Sequence, residues 1–164
     1  MAFLETAMSD SPPLIRAPRF VPGAVDLDDA AARTIAAAMR EVALCDGAHP
    51  REIELIEQFE ALVPGESGGV DLSALRTAAH REVFLKSLVL VAYADGHVTD
   101  REREVIGTYA EALDFDAAAR TRAWTEVASS LLSVFSGVQQ FRSQVVKLGE
   151  SMGLDNSTVD RVLG

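Results

Sequence analysis

Between residues 26 and 47 the chain reads DLDDAAARTIAAAMREVALCDG, with Ile35, Met39 and Val42 at helical spacing on an alanine-rich background and acidic residues at the start. Apolar side chains recurring every three or four residues make one stripe of an α-helix, and carboxylates in its first turn suit the positive end of the helix dipole. The pattern predicts a helix that stops at Asp46-Gly47. A second helix is predicted from Pro50, where a missing N–H costs nothing, with Ile53, Ile56, Phe59 and Val63 on one side until Pro64-Gly65 ends it. PGESGG, residues 64–69, is then a loop.

The periodicity changes after Gly69. VDLSALRTAA, residues 70–79, predicts a short helix capped by Asp71, and REVFLKSLVLVAYA, residues 81–94, is apolar almost all round, as befits a helix buried at the centre of a bundle. Its β-branched residues also suit a strand. No other stretch reads as a strand that would pair with it, so helix is the consistent assignment. Further helices are predicted over residues 100–113 and 116–135, the latter with Trp124, Val127, Leu131 and Val134 on one side and Gly137 as its breaker. Two closing helices follow over residues 138–153 and 156–163, the last capped by Asp155 or Asn156. The fold class is therefore all-α, a helical bundle of about seven helices, with a domain over residues 26–164. Residues 1–25 carry Pro12, Pro13, Pro18 and Pro22 without a sustained apolar period and read as a flexible or extended N-terminal arm.

Two of these helices repeat one another. Arg51-Glu52-Ile53-Glu54-Leu55-Ile56 aligns with Arg101-Glu102-Arg103-Glu104-Val105-Ile106, Phe59 with Tyr109 and Val63 with Leu113. Upstream, Asp46-Gly47 aligns with Asp95-Gly96 once one residue is inserted in the second loop. The bundle is thus built around two similar helix-loop-helix units. Glycine suits a left-handed helix end, and Thr99-x-x-Glu102 is a capping box, with His49, Pro50 and Glu52 in the corresponding places of the first unit.

The aspartates fit that punctuation less well. Asp46 and Asp95 lie at the carbonyl ends of their helices, where a negative charge is disfavoured by roughly 0.3–1 kcal/mol. An Asx turn accounts for one such residue, but two at equivalent positions point further. If the units pack face to face, Asp46, Glu52, Asp95 and Glu102 converge, with Asp100 nearby. Like charges about 5 Å apart cost on the order of 3 kcal/mol at an effective dielectric of about 20, so such a cluster recruits a cation or raises a pKa. The second loop matches only the later half of a calcium-binding EF-hand, because Val91 and Tyr93 stand where its first two carboxylates belong and Ile53 holds the twelfth position of the first unit. A metal site has to be assembled from both loops, its oxygen ligands favouring a hard divalent cation and His97 or His49 admitting zinc or manganese.

Composition narrows the function classes. A formal net charge of −10 over 164 residues, with no basic stripe, argues against nucleic acid. The same acidity suits cation binding, a basic protein partner or plain solubility. The longest apolar run, residues 88–94, is far short of the roughly 20 residues of a membrane span, and Glu5 stands where a secretory leader carries basic residues. A single cysteine, Cys45, forms no internal disulfide, and a cytoplasmic location is the default reading. Cys45 reads as a small buried residue, His80 as a polar residue between helices lacking the second histidine of a zincin motif, and Trp124 as core. Phosphate loops and nucleophile elbows are absent from the sequence, so no catalytic residues are assigned.

The stretch AYADGHVTDREREVI, residues 92–106, resembles the helix-loop-helix element of the TerB-like family, which includes tellurite-resistance TerB proteins and the N-terminal domain of a membrane-anchored DnaJ-like cochaperone. The resemblance runs from about Asp26 to Gly164. It implies an all-helical domain of two similar units with a divalent metal site formed by acidic residues of the paired loops. Carried over by position it selects Asp95 and Glu102, and also Asp46 and Glu52, although the first loop is one residue shorter and carries Ala48-His49-Pro50. It further implies a role in stress response or in protein assemblies near the membrane, with a protein partner, and leaves a homodimer and peripheral membrane association open. Three functions follow from this reading. The first is a non-catalytic module binding a divalent metal between its loops; the second is a metal-free interaction or scaffold domain; the third, weaker, is a metal-dependent hydrolase.

Overall fold

The computed structural model describes residues 15–16, 26–66, 68–133 and 142–163. Among them the chain forms seven α-helices: α1 (Asp29–Leu44), α2 (Pro50–Glu60), α3 (Ala78–Tyr93), α4 (Asp100–Ala112), α5 (Ala117–Ser133), α6 (Arg142–Ser151) and α7 (Asn156–Leu163). The expected all-α bundle is what the chain adopts. Gly137 and Val134, expected to end α5 and to extend its apolar side, lie outside the described residues, as does most of the N-terminal arm.

Helix starts follow local chemistry. Asp28, Thr77, Asp116 and Asp155 each accept a backbone N–H three residues on, at 2.8, 3.0, 2.7 and 2.6 Å, supplying partners for donors that an isolated helix end leaves unpaired. Asp155, not Asn156, is therefore the cap of α7. Two expectations change. Residues 70–79 form only a short 3-10 turn, Leu72–Ala74, capped by Asp71, and α3 starts early at Ala78 because Thr77 provides a cap there. A strand was not expected anywhere, yet Ile15–Arg16 pairs antiparallel with Asp26–Leu27 immediately before α1.

Helix α3 is the axis of the bundle. Every residue from Val83 to Tyr93 is buried, and α1, α2, α4 and α5 all pack on it. Its all-round apolar pattern is thus explained by neighbours on every side. The polar members of that run are satisfied locally. Ser87 Oγ donates to the Val83 carbonyl at 2.7 Å, and Lys86, 5% exposed, reaches Glu82 at 2.7 Å and Glu126 at 2.5 Å. Burial opposes the lysine's charge, but its hydrogen bonds to Glu126 and Glu82 outweigh it and raise its pKa. The second layer forms on α5, which carries α7 and α6 against its far side.

Because α1 and α3 lie together and each runs into a short loop and a further helix, the two helix-loop-helix units sit side by side. The Tyr109 hydroxyl on α4 donates to Glu41 on α1, and the Tyr109 ring meets Phe84 of α3 edge-on at 5.4 Å. Burial and then Glu41 raise the Tyr109 pKa, so the hydroxyl stays a donor. This places the loops after α1 and α3 next to one another.

Candidate functional site

Each loop begins with a glycine in the left-handed region, Gly47 at φ +103° and Gly96 at φ +80°, a conformation that L-residues with a Cβ resist. Each then runs into a capping box. In the second unit Thr99 Oγ1 accepts the Glu102 N–H at 3.2 Å, while Glu102 Oε2 accepts the Thr99 N–H at 2.7 Å. In the first, Glu52 Oε2 accepts the His49 N–H at 3.1 Å and His49 Nδ1 accepts the Arg51 N–H at 3.3 Å. The repeat seen in the sequence is therefore a repeat of local hydrogen bonding, with an imidazole accepting an N–H two residues on in one copy where a hydroxyl accepts one three residues on in the other.

The two boxes face each other. Asp46, His49, Glu52, Asp95, His97, Thr99 and Glu102 line one pocket of about 270 Å³. Glu52 and Glu102, 3% and 1% exposed, both line it, and their carboxyls are near enough to act on one another. Burial pushes the Glu52 pKa up to about 7, and sharing a hydrogen bond with Glu102, together with the charges of Glu102 and Asp95, pushes in the same direction against the opposing His49 N–H. Glu52 thus sits near its midpoint at neutral pH. One cap carboxyl of the pair holds a proton far more readily than an ordinary glutamate.

The aspartates do different jobs. Asp95 Oδ1 accepts the His97 N–H at 2.8 Å, closing an Asx turn within its own loop. Asp46 instead accepts the Thr99 hydroxyl across the gap and so ties the loops together. The inserted residue of the second loop makes the two geometries unequal. Asp100 is exposed and takes no part in the pocket wall, so it stands apart from the group expected to converge. Cys45, partly buried beside the site, has its thiol pKa raised by burial and by the charges of Asp46 and Glu102, as an inert thiol would.

The donors around the pocket are hard oxygens flanked by two imidazoles, a set that suits a divalent cation. Among the described residues, however, no group of three or more His, Cys, Asp or Glu side chains is placed to hold a metal ion as it stands. Asp46 and Asp95 are both turned to hydrogen-bond donors of the loops. The residue that sequence reading assigned too small a part is Thr99, named only as a cap; no local signal announces that its hydroxyl reaches across to Asp46. Trp124, expected in the core, packs against it and is partly buried, with Arg103 over its ring at 5.0 Å.

Comparison with models of known protein families, with curated proteins and with solved structures gives no match. No helix among the described residues is long and apolar enough to cross a membrane.

Proposed function

We propose that this chain is a non-catalytic helical module of the TerB-like kind, whose paired loops take up a divalent cation and thereby set the shape of a protein-interaction surface. The observation that carries the reading is the buried contact between Glu52 and Glu102, two carboxyls brought together from equivalent positions of a repeat. A protein has little reason to bury like charges against each other unless something positive joins them, since the repulsion rises steeply once water is excluded. Capping uses Oε2 of both residues, and a cation would take the place of the proton that the pair shares. Glu52 and Glu102 would be the central ligands, with Asp46 and Asp95 joining after side-chain rotation away from Thr99 and His97. His49 and His97 stand on the pocket wall as auxiliaries. A bound cation would supply positive charge that holds both loops in one arrangement. Asp100 is left out of the set on its position.

A second reading draws on the same contact. With its pKa raised to about 7, Glu52 can retain a proton and share it with Glu102, and the module then needs no metal. Thermal denaturation separates the two. Protein stripped with a chelator is melted with Mg²⁺, Ca²⁺, Mn²⁺ or Zn²⁺, as wild type and as Glu52→Gln. Cation binding at about a hundredfold above Kd adds about 2.7 kcal/mol, which is roughly 5–10 °C for a domain of this size, and the gain disappears in Glu52→Gln. A wild-type midpoint that none of the four metals raises rejects the cation and leaves the shared proton.

A further inference from the structure

A second pocket lies on a different face, between α3, α4 and α5, with a volume of about 200 Å³. Its walls include the apolar Leu85 and Ile106, the Trp124 ring and two arginines, Arg103 and Arg120. Two guanidinium groups on one small pocket stand out in a chain with 25 acidic and 15 basic residues. Arg120 is anchored, its Nε donating to the Phe115 carbonyl at 3.0 Å and its charge 3.5 Å from Glu111. Arg103 forms no ion pair among the described residues; its guanidinium stands 5.0 Å from the centre of the Trp124 ring. That contact orients a cation without neutralising it.

Gly107 adds an independent observation. It lies inside α4, where glycine costs roughly 1 kcal/mol relative to alanine, and a Cβ built on it meets no atom within 4 Å. Packing therefore does not require glycine at this position. Gly107 also lines the pocket, so a larger side chain at this position would stand at its edge.

We propose that this pocket binds the carboxylate of a small organic acid, with Arg103 as its charge partner and the partly exposed Trp124 ring as the wall for its hydrocarbon body. A guanidinium fork matches the two coplanar oxygens of a carboxylate, and the arginine charges favour an anion despite the acidity of the rest of the surface. The partly exposed Trp124 ring favours an acid with a hydrocarbon body over inorganic phosphate, which has nothing to lay on it.

Trp124 is the only tryptophan of the chain, so its emission reports on the pocket directly. The full chain is titrated with 4-methylpentanoate, with the methyl ester of that acid and with inorganic phosphate at constant ionic strength. The expected result is a saturable change with the acid, with Kd on the order of 1 mM for so few atoms, and none with the ester. Affinity falls at least tenfold in Arg103→Gln and in Gly107→Val, or in Gly107→Ala should the valine variant fail to fold, while Arg122→Gln binds as wild type. Absence of saturation by about 10 mM acid, an equal response to the ester, saturation by phosphate alone, or wild-type affinity in a folded Arg103→Gln would each overturn the proposal.

Discussion

At Glu52 one carboxyl group is pulled in two directions. As a cap it accepts the His49 N–H, which favours the anion, while burial against Glu102 favours the neutral acid and prevails, raising the pKa from 4.5 to about 7. The consequence for stability has a definite sign. Below about pH 4.5 this group is protonated in both folded and unfolded chains, and its contribution is complete. Between 4.5 and 7 the unfolded chain releases the proton and the folded chain keeps it, so stability falls as pH rises; above 7 the loss is finished. Between about pH 5 and about pH 8 its size is on the order of 2–3 kcal/mol, or roughly 5–10 °C in midpoint. Melting wild type and Glu52→Gln in metal-free buffer at about pH 5 and about pH 8 should show the wild type losing that much more than the variant. An equal change in both would mean that Glu52 ionises normally. Thr99 is the other residue to test, because it caps α4 and also holds Asp46 of the opposite loop. Thr99→Ala removes both bonds and should cost about 2 kcal/mol by denaturant titration, twice what a cap alone contributes.

Among the elements, α4 and α6 each carry a glycine, and the surroundings give the two opposite expectations. Gly149 of α6 packs against both α7 and α5: an added Cβ would fall 2.5 Å from Val159 Cγ2 and 3.2 Å from Leu132 Cδ1. Valine is short and stiff, so Gly149→Ala must push the helices apart and should cost about 1–3 kcal/mol. Gly107 of α4 faces open space, and Gly107→Ala should raise stability by about 0.5–1 kcal/mol through helix propensity alone. Thermal melts of the two variants, made side by side, check both. The same substitution in two helices is decided by what lies opposite, not by the helix.

For the molecule as a whole, the question is how a cation comes to be buried on the central helix. Lys86 sits in the buried run of α3, yet Glu82 and Glu126, which flank it, remain partly exposed. The asymmetry predicts unequal costs. Removing both acids in Glu82→Gln with Glu126→Gln leaves a buried charge without a partner and should cost about 3 kcal/mol. Lys86→Met leaves two carboxylates that turn to water and should cost under about 1 kcal/mol. Chemical denaturation of the two variants measures the difference, and equal losses would show that the lysine's packing, not its charge, matters.

Much of this was legible in the chain before folding. Helix positions followed from periodicity and from caps such as Thr99 and Asp155, because those interactions lie within a few residues of one another; the Thr77 cap that starts α3 was not read from the sequence. The duplication around Asp46-Gly47 and Asp95-Gly96 placed Glu52 and Glu102 in equivalent roles, since a repeated local motif folds the same way twice. What only the tertiary structure decided was which of those carboxyls meet. Burial in the pocket wall joins Glu52 to Glu102; Thr99 takes Asp46, the Asx turn takes Asp95, and Asp100 is left in solvent. The stance of Arg103 over Trp124 was equally invisible, as the two belong to different helices. Contacts of that kind depend on how α1, α3, α4 and α5 cross, and crossing is set by the summed packing of the core rather than by any one stretch of sequence.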